Sequence, residues 1–201
     1  MALLIGLSLM SLDPSVPRPA TRADAAAVGA ALGAAFADDP LWRWLVGDRA
    51  SRLVAAITAS GVGRHPSQFT ITDDAAAWWH PPGQWRLGLA ATLRLAPRVL
   101  PIARLGSLTL LRLSALVEKQ HPSGAHAYLG YLGAAVQGKG LGSAVISPAL
   151  EVCDAYGWAA FLESSNPRNL PFYRRHGFVD REPLQVPDGC PTITPMWRDP
   201  R

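Results

Sequence analysis

The spacing of apolar residues changes period several times along this chain, and each change predicts an element. Residues three and four apart point to helix, while alternating or short continuous apolar runs point to strand. Residues 16–20 read as a first strand that Pro17 and Pro19 confine to few ladder bonds. Residues 21–24 cap an alanine-rich helix running to about Phe36. Pro40 breaks it, and one second helical stretch is predicted over residues 41–61. Residues 69–72 and 75–79 flank Asp73 and Asp74 as a hairpin. Between 84 and 120 Leu105, Leu108, Leu111, Leu113 and Leu116 recur at roughly helical spacing. Broken by Pro97, Pro101 and Gly106, that region reads as two or three helices inserted between the third and fourth strands. A strand at 128–132, a helix at 144–156 and a strand at 158–163 follow. Residues 179–197 then alternate apolar positions with turn signals. Two antiparallel strands joined at Pro187, Asp188 and Gly189 are expected to close the sheet.

Two segments carry chemistry. The first is Gln137, Gly138, Lys139, Gly140, Leu141, Gly142 and Ser143, between a strand and a helix. Such a turn leaves backbone N–H groups unpaired and pointing one way, and with the helix dipole they suit a pyrophosphate. A dinucleotide fingerprint would need glycine where Ser143 stands, and the Gly-Lys-Ser/Thr of a P-loop is absent. The plain alternative is a glycine helix cap beside a surface lysine. The second segment follows the strand at 158–163. Asn166 before Pro167 signals a helix start and Gly177 a stop, which puts Tyr173 on a short helix beside a strand end.

Together these motifs resemble the GNAT acyl-CoA N-acyltransferases. The shared features are Gln137, Gly140 and Gly142 in the loop, Asn166 seven residues before Tyr173, and Gly177-Phe178 opening the next strand. Four segments (35–40, 137–145, 161–163 and 167–173) are similar to puromycin N-acetyltransferase and its actinobacterial relatives. The similarity is dense over 136–178 and in register over about 16–82, but only length and character match over 84–120. Ala134 departs from the proline such enzymes usually carry three residues before the glutamine.

The resemblance implies an α/β (α+β) GNAT fold. Its mixed, strongly twisted sheet of about six to seven strands is flanked by helices, in one domain over 16–201 after an extension at 1–15. It implies acetyl-CoA as co-substrate, with no metal, and a small-molecule amine as acceptor, an aminonucleoside-like antibiotic among them. Tyr173 is expected as general acid, its phenol being protonated at neutral pH. Glu163 is the carboxylate nearest the motifs and is expected as base, because 128–132 contains none. Leu132, residues 137–143, Asn166, Asn169 and Phe172 are expected at the cofactor, and Asp39, Trp79, Tyr128 and Tyr131 at the acceptor. Acetylation of a protein N-terminus or lysine, and non-catalytic sensing of acyl-CoA, are the competing readings.

Composition adds bounds. With 201 residues, 49% apolar and 17% charged, the chain can build one proper core. A net charge of +4 suits an anionic cofactor, and no basic stripe interleaved with aromatics points to nucleic acid. Cys153 and Cys190 form no disulfide framework, and the five histidines show no metal spacing. The apolar stretch 1–10 is too short to span a bilayer and lacks a basic flank. The implied acetyl-CoA makes a cytoplasmic protein, monomer or homodimer, the expectation.

Overall fold

Seven strands form one sheet: β1 (Arg18–Pro19), β2 (Phe69–Ile71), β3 (Ala75–His80), β4 (His126–Ala134), β5 (Ala159–Ser164), β6 (Val179–Asp180) and β7 (Thr194–Arg198). Their order is β1-β2-β3-β4-β5-β7-β6, with β4 and β5 parallel and every other neighbouring pair antiparallel. The helices are α1 (Ala25–Ala35), α2 (Pro40–Val46), α3 (Ala50–Arg64), α4 (Leu89–Ala103), α5 (Gly106–Gln120), α6 (Leu141–Tyr156) and α7 (Leu170–Arg175). The computed structural model describes residues 16–201 apart from Leu87, Leu105 and Gln137. The expected extension at 1–15 lies outside the described residues. The expected mixed sheet, flanking helices and helical insertion between β3 and β4 are all present.

Period-2 alternation along β3 decides what each face of the sheet meets. Ala75, Ala77 and Trp79 point to one side and pack with Val145, Ile146 and Leu150 of α6. Ala76 and Trp78 point to the other and pack with Val28 and Leu32 of α1 and Val54 and Val62 of α3. A third cluster joins α2 and α3 to the insertion through Leu45, Leu53, Val99 and Leu113, with Leu184 and Ile193 from the β6–β7 connection.

Three expectations change. The helix predicted over 41–61 is two helices. Pro40 opens α2 rather than merely ending α1, with Asp39 as N-cap, and Gly47 at φ +60° separates α2 from α3. Pro97 and Pro101 do not break the insertion but sit inside α4. Both prolines are exposed, as is Leu93, whose carbonyl loses its donor at Pro97. The closing strands are joined by a long connection, in which Pro187 to Cys190 makes only a local turn; β7 lies between β5 and β6.

Gly61 of α3 is a close-approach position. A Cβ there would lie 2.5 Å from the Trp78 ring, which stacks on Phe69 and Tyr131 and donates its Nε1–H to Gln68. Gly61→Leu should therefore lower stability by about 1–3 kcal/mol and displace Trp78. Urea unfolding and Trp fluorescence check this; an unchanged midpoint would rule out the tight contact.

Candidate active site

The parallel pairing of β4 and β5 stops early. Residue pairs run from His126–Ala159 to Leu129–Leu162, after which β4 continues to Ala134 against β3 alone. Beyond Leu129 the β4 backbone edge facing β5 has no strand partner. Beside that parting lies a cavity of about 590 Å³, walled by Trp78, Trp85, Tyr128 and Tyr131 and reaching Glu163 and Tyr173. Leucines of α4 and α5 supply its roof, among them Leu95 and Leu110.

A bulge shapes one wall. Trp78 pairs with Tyr131 but Trp79 with Leu129, so Gly130 is an extra residue on β4. An unbulged strand would put Tyr128 and Tyr131, three apart, on opposite faces. The extra residue brings both to the cavity, where Tyr131 stacks on Trp78 and Tyr128 on His80. Trp79 is corrected by the same register: it is buried against α6 and is not among the cavity-lining residues. Trp78 takes the position expected of it.

Asp39 lines the cavity, but its carboxylate is occupied. Oδ1 accepts from the amides of Leu41 and Trp42 at 3.0 and 3.2 Å, and Oδ2 accepts from the Ser165 hydroxyl at 2.8 Å. It therefore ties the start of α2 to the end of β5. Tyr173 is buried, and burial, with the neighbouring Asp39 charge, pushes its phenol well above 10. Burial and Glu163 push Tyr128 up in the same way. Glu163 is 7% exposed and meets His121 Nδ1 at 3.3 Å.

The loop before α6 turns on two glycines in the left-handed region. Gly138 and Gly140 take positive φ of +81° and +76°, and a Cβ at either would meet nothing within 4 Å. The amide of Ala144 bonds to the Gly140 carbonyl at 3.0 Å, so those of Leu141, Gly142 and Ser143 precede the first helical acceptor. Gly142 lies against Phe172, its hypothetical Cβ 3.2 Å from the ring, which docks α7 onto the loop. Lys139 is exposed, and Leu132 lines both the cavity and the core. Asn166 caps the turn Pro167–Asn169 by accepting from the Arg168 amide at 3.1 Å, and Asn169 reaches the cavity rim. Gln137 lies outside the described residues.

Residues 115–198 match the family model of the acetyltransferase (GNAT) domain. Over that segment the chain is similar to a GNAT domain, and its fold is the GNAT fold. An uncharacterized N-acetyltransferase of Schizosaccharomyces pombe is 39% identical over 61 residues, 29% of this chain. The chain spans about a quarter of the length of that curated relative, 25%. The histone acetyltransferase HPA2 and related acetyltransferase of Corynebacterium glutamicum has a similar fold. It aligns at TM-score 0.65 and 24% identity, covering 92% of this chain and 96% of that one. A polyamine N-acetyltransferase of Drosophila melanogaster aligns at TM-score 0.64 and 13% identity, covering 92% and 99%.

The GNAT fold implies acetyl-CoA binding, and the positive-φ glycines, open cradle and partnerless β4 edge fit its diphosphate and arm. Among the described residues no helix is long and apolar enough to cross a membrane, and no group of three His, Cys, Asp or Glu side chains could hold a metal. The fold also gathers residues that sequence patterns did not place at the site: His80, Trp85, His121 and His126. Only alternation along β3 hinted at any of these, since Trp78 and His80 share a parity.

His80 gives the fold an acid sensitivity. Burial, with the His65 charge nearby, lowers its pKa from 6.5 to about 4. Between those values the unfolded chain binds the proton and the folded one does not, so stability falls as pH drops from 6.5 towards 4. The loss is about 3 kcal/mol. His80→Gln should flatten this part of the stability–pH curve, measured as urea midpoints. An equally steep variant curve would count against it.

Proposed function

We propose that this protein moves an acetyl group from acetyl-CoA to the primary amine of a small molecule with a planar, apolar body. The observation that carries the reading is the aromatic cavity opening on the β4–β5 parting, with Glu163 and Tyr173 on its wall. Its volume of about 590 Å³ suits a small molecule, and the roof of α4 and α5 favours one over a protein terminus or lysine. A polyamine would need several carboxylates. Asp39 and Glu163 are the acids lining the cavity, and Asp39 is already engaged by three donors. That supports a monoamine. Solved proteins of this fold include arylalkylamine N-acetyltransferases, and the sequence resemblance extends the class to aminonucleoside-like antibiotics.

Acetyl-CoA supplies the activated acyl thioester. In this reading the amides of residues 138–143 and Lys139 hold its diphosphate, with Gln137 assigned to the same loop. The β4 edge at Leu132, with Asn166, Asn169 and Phe172, borders its arm. Tyr128 and Tyr131 flank the acceptor, and Asp39 fixes the rim beside them. Glu163 takes a proton from the acceptor's ammonium group. Tyr173 keeps its own proton at neutral pH and presents it to the leaving sulfur.

Free thiol release with arylalkylamines, puromycin, agmatine, spermidine and a lysine peptide tests this. Release with the aromatic monoamines, puromycin counted among them, is expected. Release only with polyamines or peptide would overturn the acceptor class, and none with any amine would overturn the activity.

A further inference from the structure

The insertion between β3 and β4 concentrates the charge of this chain. Residues 75–117 hold Arg86, Arg94, Arg98, Arg104 and Arg112 and no aspartate or glutamate. Those five positive charges exceed the net +4 of the whole protein. All five arginines are exposed. Arg86 meets Glu118 at 3.3 Å. Among the described residues the other four form no ion pair.

The same segment leaves apolar side chains in water. Leu89, Leu93 and Leu100 of α4 and Leu108 and Leu111 of α5 are between 52% and 76% exposed. Spacings of four and seven on α4, and of three on α5, put each set in one row along its helix. Pro97 and Pro101 leave α4 continuous from Leu89 to Ala103, so its row is unbroken. Arg94 and Arg98 follow the flank of that row, about a third of a turn round. Leu100 and Leu111 also line the cavity, so the two rows meet at its mouth.

We propose that α4 and α5 dock this protein on an anionic lipid surface, leucine rows in the acyl boundary and arginines at the headgroup phosphates. The cavity mouth then faces the lipid. Each helix has 15 residues, about 22 Å of length, so it lies on a bilayer and does not cross one.

Charge decides what covers the face. In a symmetric pair of copies the face meets itself, which sets arginines against arginines with no acid of 75–117 to relieve them. A nucleic acid would match the charge but lay the leucines against phosphate and sugar. An anionic bilayer takes the leucines into its hydrocarbon margin, while guanidinium groups on long stems reach the phosphates. The inference is independent of acetyl transfer.

Flotation of the full chain with vesicles of phosphatidylcholine, alone or with phosphatidylglycerol added, tests this. Binding should be at least tenfold tighter with phosphatidylglycerol and should weaken at high salt. On those vesicles backbone hydrogen exchange should slow in α4 and α5 and stay unchanged in α6. Leu89→Ser combined with Leu93→Ser and Leu108→Ser touches no cavity-lining residue. It should weaken binding at least tenfold with an unchanged melting temperature, as should Arg94→Glu with Arg98→Glu. Arg22→Glu with Arg181→Glu makes the same change in net charge at exposed positions outside the insertion, and should stay within threefold of native. Native protein that ignores the anionic vesicles overturns the proposal. So does a leucine-row variant that binds like native, a control pair that loses as much as Arg94→Glu with Arg98→Glu, or protection that bypasses α4 and α5. Self-association that the leucine substitutions abolish, without vesicle binding, would give the face to a second copy instead. Retention of duplex DNA in place of vesicles would give it to nucleic acid.

Discussion

Tyr173→Phe lowers kcat by about 100-fold or more, while acetyl-CoA binding measured by calorimetry stays within twofold of native. The separation follows from what the side chain touches. Its ring packs edge-on against Phe172 and Phe178, with centroids 5.2 and 6.1 Å away, and phenylalanine keeps both contacts. Only the hydroxyl is lost. Burial and Asp39 hold the native phenol protonated, so it is loaded as a donor throughout the neutral range. General acids contribute roughly 10²–10⁴ in rate, which sets the expected loss. A variant with native kcat and native acetyl-CoA affinity would leave Tyr173 with packing alone.

Gly140→Val weakens acetyl-CoA binding by about 30-fold or more. Two effects add. At φ +76° a β-branched residue is strained, and its side chain would fill the open space that the diphosphate is proposed to use. Gly157→Ala is the control. Gly157 also has positive φ, +66°, and open surroundings, but it lies at the other end of α6. It should cost about 1 kcal/mol of stability and leave binding unchanged. Equal loss of binding in both variants would show that helix stability, not the cradle, was being measured.

Much of this architecture is legible in the chain, and the parts that are not share a cause. The loop at 138–143 and the turn into α7 are local: glycine, proline and asparagine set them within a few residues, whatever packs above. The two helices at 40–64 read as one in sequence because Gly47 resembles an ordinary interior glycine, and only its φ of +60° sets it apart. Which of two adjacent tryptophans faces the cavity depends on strand register, and register depends on partners. A single extra residue at Gly130 reverses parity along half of β4. The grouping of His121 and His126 beside Glu163 is the least legible. His121 ends the insertion's connection, His126 opens β4, and Glu163 lies on β5, 42 residues from His121. No local spacing joins them. The role of Asp39 as the N-cap of α2 was not read from the sequence, and its bond to Ser165 crosses 126 residues.

The early parting of β4 from β5 divides labour between main chain and side chains. Past Leu129, what β4 offers towards the gap is peptide groups, and these survive any exchange of side chain. The roof of α4 and α5, by contrast, meets the cavity through side chains, mostly leucines and valines with Thr92, Ser107 and Ser114 among them. Under the proposed function, mutation there would rewrite which amines are admitted while the thioester's berth persists. A protein so built can drift between acceptors quickly and keep one acyl donor.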